Sequence, residues 1–395
     1  MATETKTAAE INLFDPAVMS CPPATYRRLI DEQPVHRAPL TGSPIISRYE
    51  DVVFALRHPE IFSSEMSEQM ALGTVRPMIP QQIDPPDQTR YRKILDPQFS
   101  RKRMAKLEPA IRADAKALID GFEDQGECEF NKQFAIPLPC NAFLHLMGLP
   151  LEDLDLFLEL KDGIIRPKSE TGDFDEMAKI RTESGRRIYA YFENVIEERS
   201  RAPRDDMMGY LLGAEIDGKK LSHNEILDIC YLFLLGGLDT VTATLGCSIA
   251  YLAANPDQRH KIVDELKFSE SALEELLRWE TPVTGVPRVV KQDCEIAGTE
   301  IKQGEVVMLL LGAANLDPGE FEDADVMNLE RERNRQIAFG SGPHRCLGSH
   351  LARMELRAGL EEWHKRIPDY EIKAGETPIY SIGIREVQYL PLVWS

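Results

Sequence analysis

The segment FGSGPHRCLG, Phe339 to Gly348, sets one cysteine among three glycines and a proline. A cysteine thiolate is a soft ligand or nucleophile, and its pKa decides whether it is available. Directly after Cys346, the residues Leu347, Leu351, Met354, Ala358 and Trp363 make an apolar stripe, so the thiol stands at or near a helix N-terminus. Backbone N–H groups and the helix dipole there favour thiolate over thiol. Gly340, Gly342 and Gly348 strip side chains from both flanks, which lets the backbone lie against something large and flat. A lone cysteine is most often a buried apolar filler. Zinc, the rival from His344, Cys346 and His350, lacks the fourth ligand a structural site takes.

A second chemical stretch is GGLDT, Gly236 to Thr240, inside a long apolar run. Two glycines within a helix cost about 1 kcal/mol each relative to alanine, so something must occupy the space they vacate. A carboxylate followed by a hydroxyl in apolar surroundings is costly without a task or a partner. Glu275 and Arg278, three apart in EELLR, face each other on a helix surface.

Phe339, Gly340, Gly342, His344, Cys346 and Gly348 match the signature F-x-x-G-x-[HR]-x-C-x-G, and the chain resembles the cytochrome P450 family through it. The resemblance runs from about Asp84 to the closing LPLVW and looks nearest to the soluble bacterial enzymes of the camphor-hydroxylase type. It implies haem b (iron protoporphyrin IX) with Cys346 as the metal ligand, a thiolate that favours O–O cleavage. The GGLDT stretch resembles the family's oxygen-binding helix, which implies a catalytic pair: Thr240 hydrogen-bonds the activated dioxygen and Asp239 relays protons. Arg166 falls where related enzymes keep an arginine that can pair with that acid. Glu275 and Arg278 match the family's E-x-x-R element, a buried structural network with Arg331, although Leu329 departs from the phenylalanine often found there.

By the same register, Gln88, Arg92, Arg288 and His344 meet the haem propionates, arginine being suited to bidentate carboxylate binding. The substrate pocket draws on Arg76, Met78, Ile79, Leu235, Gly236, Asp239, Val283 and Thr284, a mainly aliphatic set that suits a small to medium apolar or terpenoid substrate. Arg76 pairs with a substrate carboxylate if it points inward, and otherwise meets solvent or a propionate. Arg90, Lys93, Arg345, Arg353 and Arg357 form a basic spot for an acidic iron–sulfur ferredoxin fed by an NAD(P)H-dependent reductase. The implied activity is monooxygenation: dioxygen gives one atom to a C–H bond and one to water. A peroxygenase using hydrogen peroxide, or a haem-thiolate sensor, would have less need of Asp239 and Thr240.

Several elements must position these groups. SHNEILD opens with Ser222 and Glu225 at capping-box spacing, and the apolar run continues to Asn255 and Pro256, a helix of some thirty residues that must run through the molecule's centre. Two further long helices are expected over RKRMAKLEPAIRADAKALIDGF and DFDEMAKIRTESGRRIYAYFENVIEERSR. PVHRAP and SPIISR around Gly42, the segment after Pro287 and the C-terminus read as strands. The fold class is therefore mainly α with a minor β region, and the resemblance implies a cytochrome P450 fold with the long central helix over haem. No linker divides the 395 residues, so one domain is expected, with residues 1–20 a flexible tail. A net charge of -19 argues against nucleic-acid or anionic-membrane partners. The longest wholly apolar run, Ile229 to Leu238, is too short for a membrane span. Seven scattered cysteines fit a reducing cytoplasm.

Overall fold

The computed structural model describes residues 11–13, 15, 18, 22–66, 72–169, 173–264, 268–381 and 384–395, so the expected N-terminal tail lies largely outside the described residues. Helices carry the architecture: α1 (Pro22–Glu32), α2 (Asp87–Leu95), α3 (Glu108–Asp120), α4 (Pro137–Met147), α5 (Leu154–Ile165), α6 (Phe174–Arg201), α7 (His223–Ala254), α8 (Glu270–Trp279) and α9 (Ser349–Arg366), with shorter turns between them. The largest sheet has five short strands: β1 (Val35–Arg37), β2 (Pro44–Ile46), β3 (Phe62–Ser63), β4 (Val286–Val290) and β5 (Val306–Leu309). Their order is β1-β2-β5-β4-β3, and every pairing is antiparallel except β2 with β5.

The 32-residue α7 begins where the capping box stands: Ser222 Oγ accepts from the Glu225 N–H while Glu225 reaches back to the Ser222 N–H. Asn255 is its C-cap, before Pro256. By length and composition α7 could cross a membrane, contrary to the reading of its shorter apolar core, but most of that apolar stretch is buried inside the protein. It packs against α4, α6 and α9, which cover it on several sides. This burial supplies the stability that an apolar helix of this length lacks in water.

One expected helix is broken. The stripe from Arg101 makes a single turn to Met104, and α3 starts afresh at Glu108. Pro109 has no N–H to give Ala105 and its ring would clash there, so it is tolerated only in a first turn. Ile111, Ala115 and Ile119 then bury one face of α3, which packs along α9.

The cysteine loop is pinned between the sheet side and α9. Gly342 has φ +69°, and a Cβ there would lie 2.5 Å from the Leu56 carbonyl oxygen, so this glycine serves a tight backbone crossing rather than a flat ligand. Gly348 differs: a Cβ there would meet nothing within 4 Å.

Candidate active site

Cys346 lies between a short turn, Gly342–His344, and the start of α9, and its N–H donates to the Phe339 carbonyl at 2.8 Å. The residue is exposed, yet its thiol is deep enough for burial to push it above the ordinary cysteine value. Both facts hold if the sulfur faces an opening inside the molecule. The Gly348 N–H and the cations Arg92, Arg345 and Arg353 pull the other way but do not win. In the polypeptide itself, desolvation thus opposes the thiolate preference expected from the helix terminus. A metal ion binding there must displace the proton.

In the middle of α7, Gly236 is exposed and Leu235, Gly237 and Thr240 are half-buried, whereas Leu238, Asp239 and residues 241–250 are buried. A Cβ on Gly236 would meet nothing within 4 Å. The Thr240 hydroxyl donates back to the Gly236 carbonyl at 3.3 Å and remains beside that open space.

Two of the four propionate candidates are committed elsewhere. Gln88 donates its amide to the Pro343 carbonyl at 2.6 Å, and Arg92 donates to the Arg345 carbonyl at 2.8 Å while pairing with Asp96 at 2.7 Å. Both brace the cysteine loop. Arg288 and His344 are different: among the described residues, buried Arg288 donates only to its neighbour's carbonyl, and His344 Nε2 has no hydrogen-bond partner, its nearest carboxylate being Asp84 at 4.0 Å. Burial pulls Arg288 down to about 10 and, with Arg288 and Arg92 near, His344 down to about 4. A buried arginine with no carboxylate hydrogen-bonded to it, beside a neutral imidazole whose Nε2 is unsatisfied, fits an anionic ligand. Sulfur donor, side-chain-free flank and orphaned polar groups together fit haem.

Asp239 is fully buried and held by two cations, Lys161 Nζ at 2.8 Å and Arg166 Nη1 at 3.2 Å. Arg166, the C-cap of α5, also pairs with Glu386, which precedes β6 (Val387–Tyr389). Sequence reading missed Lys161 and Glu386. Lys161 carried a signal, since Phe157, Leu160 and Ile164 around it are the buried stripe of α5; Glu386 carried none.

Arg76 is corrected. It turns neither to solvent alone nor to a propionate but to the chain's own Asp228, its Nε 2.8 Å from Oδ2, with the guanidinium over the Tyr189 ring. Met78 and Ile79 are buried, and Val283 forms an isolated bridge with Ile384. Thr284 lines a small cavity with Tyr26, Trp279, Gly312 and Arg385, beneath α1. Glu275, Arg278 and Arg331 form the expected buried network, at 2.8 and 2.9 Å, with the Asn328 N–H and Asn334 also donating to Glu275. Of the basic spot, Lys93 and Arg345 are exposed, while Arg90 pairs with Asp87 and Asp217 and Arg353 with Glu274.

Comparison with known proteins identifies a matching family model, cytochrome P450, over residues 165–363. A probable cytochrome P450 127A1 of Sinorhizobium fredii is 36% identical over 357 residues, covering 90% of this chain and 84% of that protein. The steroid C26-monooxygenase of Mycobacterium tuberculosis is 33% identical over 359 residues, covering 90% and 88%. The crystal structure of CYP109E1 from Bacillus megaterium in complex with testosterone superposes with a TM-score of 0.87 at 28% identity, covering 96% of this chain and 99% of that one.

Proposed function

The chain belongs to the cytochrome P450 family and is a cytochrome P450 monooxygenase, and from that premise we propose that it hydroxylates an apolar polycyclic or terpenoid substrate of steroid size with electrons from a ferredoxin. The observation that carries the substrate class is the open space beside Gly236, bordered by the aliphatic Leu235 on a helix that is otherwise buried. Apolar walls with few polar groups select by shape and by area removed from water. A relative named for steroid oxidation and a neighbour solved with testosterone support the same class.

Haem b held through the Cys346 sulfur, with Arg288 and His344 toward its propionates, supplies the activation of dioxygen that puts one oxygen atom into a C–H bond and releases the other as water with two protons and two electrons. The chain's part is to hold substrate and to move those protons. The Thr240 hydroxyl, which donates to the Gly236 carbonyl beside the open space, becomes a proton donor to the chamber by turning from that carbonyl. Asp239, one residue away and buried, brings protons from the α5 side. A buried carboxylate kept between two cations is hard to explain for a peroxide user, whose oxidant arrives already reduced and protonated. Exposed Lys93 and Arg345 give a ferredoxin its docking charge on an otherwise acidic, cytoplasmic protein.

The test adds testosterone to the ferric holoprotein and then supplies ferredoxin, reductase and NADH. A rise in spin state on binding, and hydroxylated steroid formed in proportion to NADH consumed, is expected. Equal turnover with hydrogen peroxide alone, or no spin change with steroids and terpenoids alike, would overturn the reading.

A further inference from the structure

Arg166 is shared between two buried carboxylates on different elements. Its Nη1 contacts Asp239 of α7 at 3.2 Å and its Nη2 pairs with Glu386 beside β6. Both acids are almost wholly buried, whereas the Arg166 side chain is 24% exposed at the end of α5. Lys161, itself buried, holds the other side of Asp239 at 2.8 Å. Asp162 touches both cations from the exposed rim, at 3.1 Å from Lys161 and 3.5 Å from Arg166. From α4, Cys140 approaches the same cluster, with Glu355 of α9 near Cys140, and burial raises the pKa of both. Four buried or part-buried charges thus sum to zero: Lys161 and Arg166 against Asp239 and Glu386.

A carboxylate clamped by two cations cannot turn. Freeing Asp239 requires both cations to let go; Lys161 keeps Asp162 as a partner when it does, so the obstacle is Arg166. An arginine left unpaired at this depth is strongly disfavoured, because removing one partner of a buried pair strands the other charge. Glu386 removes that obstacle, since Arg166 keeps a full ionic partner while its contact with Asp239 is broken. The strand β6, which follows directly on Glu386, packs along α7 and anchors this second partner. We propose that Glu386 is a positioning residue that takes over Arg166 and so releases Asp239 to carry protons. This rests on the reading of Asp239 as the proton carrier.

The competition also bears on the titration of Glu386. Burial raises Glu386 most, Arg166 lowers it and the Asp239 charge raises it. Removing Asp239 therefore removes a repulsion and gives Arg166 wholly to Glu386, and both effects lower the Glu386 pKa.

Two arms test this. In steady-state turnover with testosterone, Glu386→Gln should lower kcat on the order of tenfold, less than the loss of a proton-transfer group itself because Glu386 acts through Arg166. KM should stay within about twofold on the same basis, since substrate contacts are unchanged. The solvent deuterium isotope effect on kcat should rise, Glu386→Asp should restore it, and Glu386→Gln combined with Arg166→Gln should bring it back toward wild type. A merely structural Glu386 would give losses that add in the double variant. The second arm needs no turnover: infrared difference spectra of the resting ferric protein should show Glu386 titrating at lower pH in Asp239→Asn than in wild type. An unchanged Glu386 titration, or a Glu386→Gln variant with wild-type kcat and isotope effect, would overturn the proposal. Wild-type protein that fails to couple NADH to hydroxylation would instead overturn the reading beneath it, while the infrared arm would still report on Arg166.

Discussion

Thr240 is the residue on which catalysis and fold part company most cleanly. Among the described residues its hydroxyl bonds only the Gly236 carbonyl of its own helix, at 3.3 Å, so removing it costs the fold little. Thr240→Ala should fold and bind substrate as before while the product formed per NADH falls about tenfold or more, the electrons escaping as peroxide or water. Product assay against NADH consumption measures it, and unchanged coupling would remove Thr240 from the proton path. Residues of this kind were legible because their types and spacing are local: Cys346, Asp239 and Thr240 sit in short patterns whose chemistry can be argued in place. Glu386 was not, and at Lys161 the stripe of α5 signalled burial but no partner, because a partnership among positions 161, 166, 239 and 386 is made by folding and leaves no spacing to read. Gln88 and Arg92 carried suitable groups, but the sequence does not tell which carbonyl oxygens will claim them first.

At the scale of the element, α7 decides the site. Its start was readable from Ser222 and Glu225, and its end from Asn255 and Pro256, because capping chemistry is written within four residues. The interruption before α3 was equally local, set by Pro109, and was overridden in the reading by an apolar stripe that spans both pieces. The glycine pair in α7 permits a direct test of what its second purpose is. No atom lies within 4 Å of a Cβ placed on Gly236, so Gly236→Ala should stabilise the helix by about 1 kcal/mol in thermal melts of the apoprotein. Substrate affinity should fall in the same variant, read by the spin-state titration with testosterone. A loss of stability would mean that the glycine serves packing after all.

For the whole molecule, the sequence pattern of long helices with a small β region was enough for the fold class, since hydrophobic period and turn chemistry carry that information. The sheet order, with β5 placed between β2 and β4, was not readable, because pairing over 260 residues has no local signature. The open interior beside Gly236 and at Cys346 was hinted at by small residues and became definite only when the surrounding helices were in place. Everything in the account requires that the Cys346 sulfur bind iron. Holoprotein reduced with dithionite and treated with carbon monoxide should shift its Soret band far to the red, as only thiolate ligation does. A band at the position given by histidine-ligated haem, or purified protein that takes up no haem when it is supplied, would contradict it.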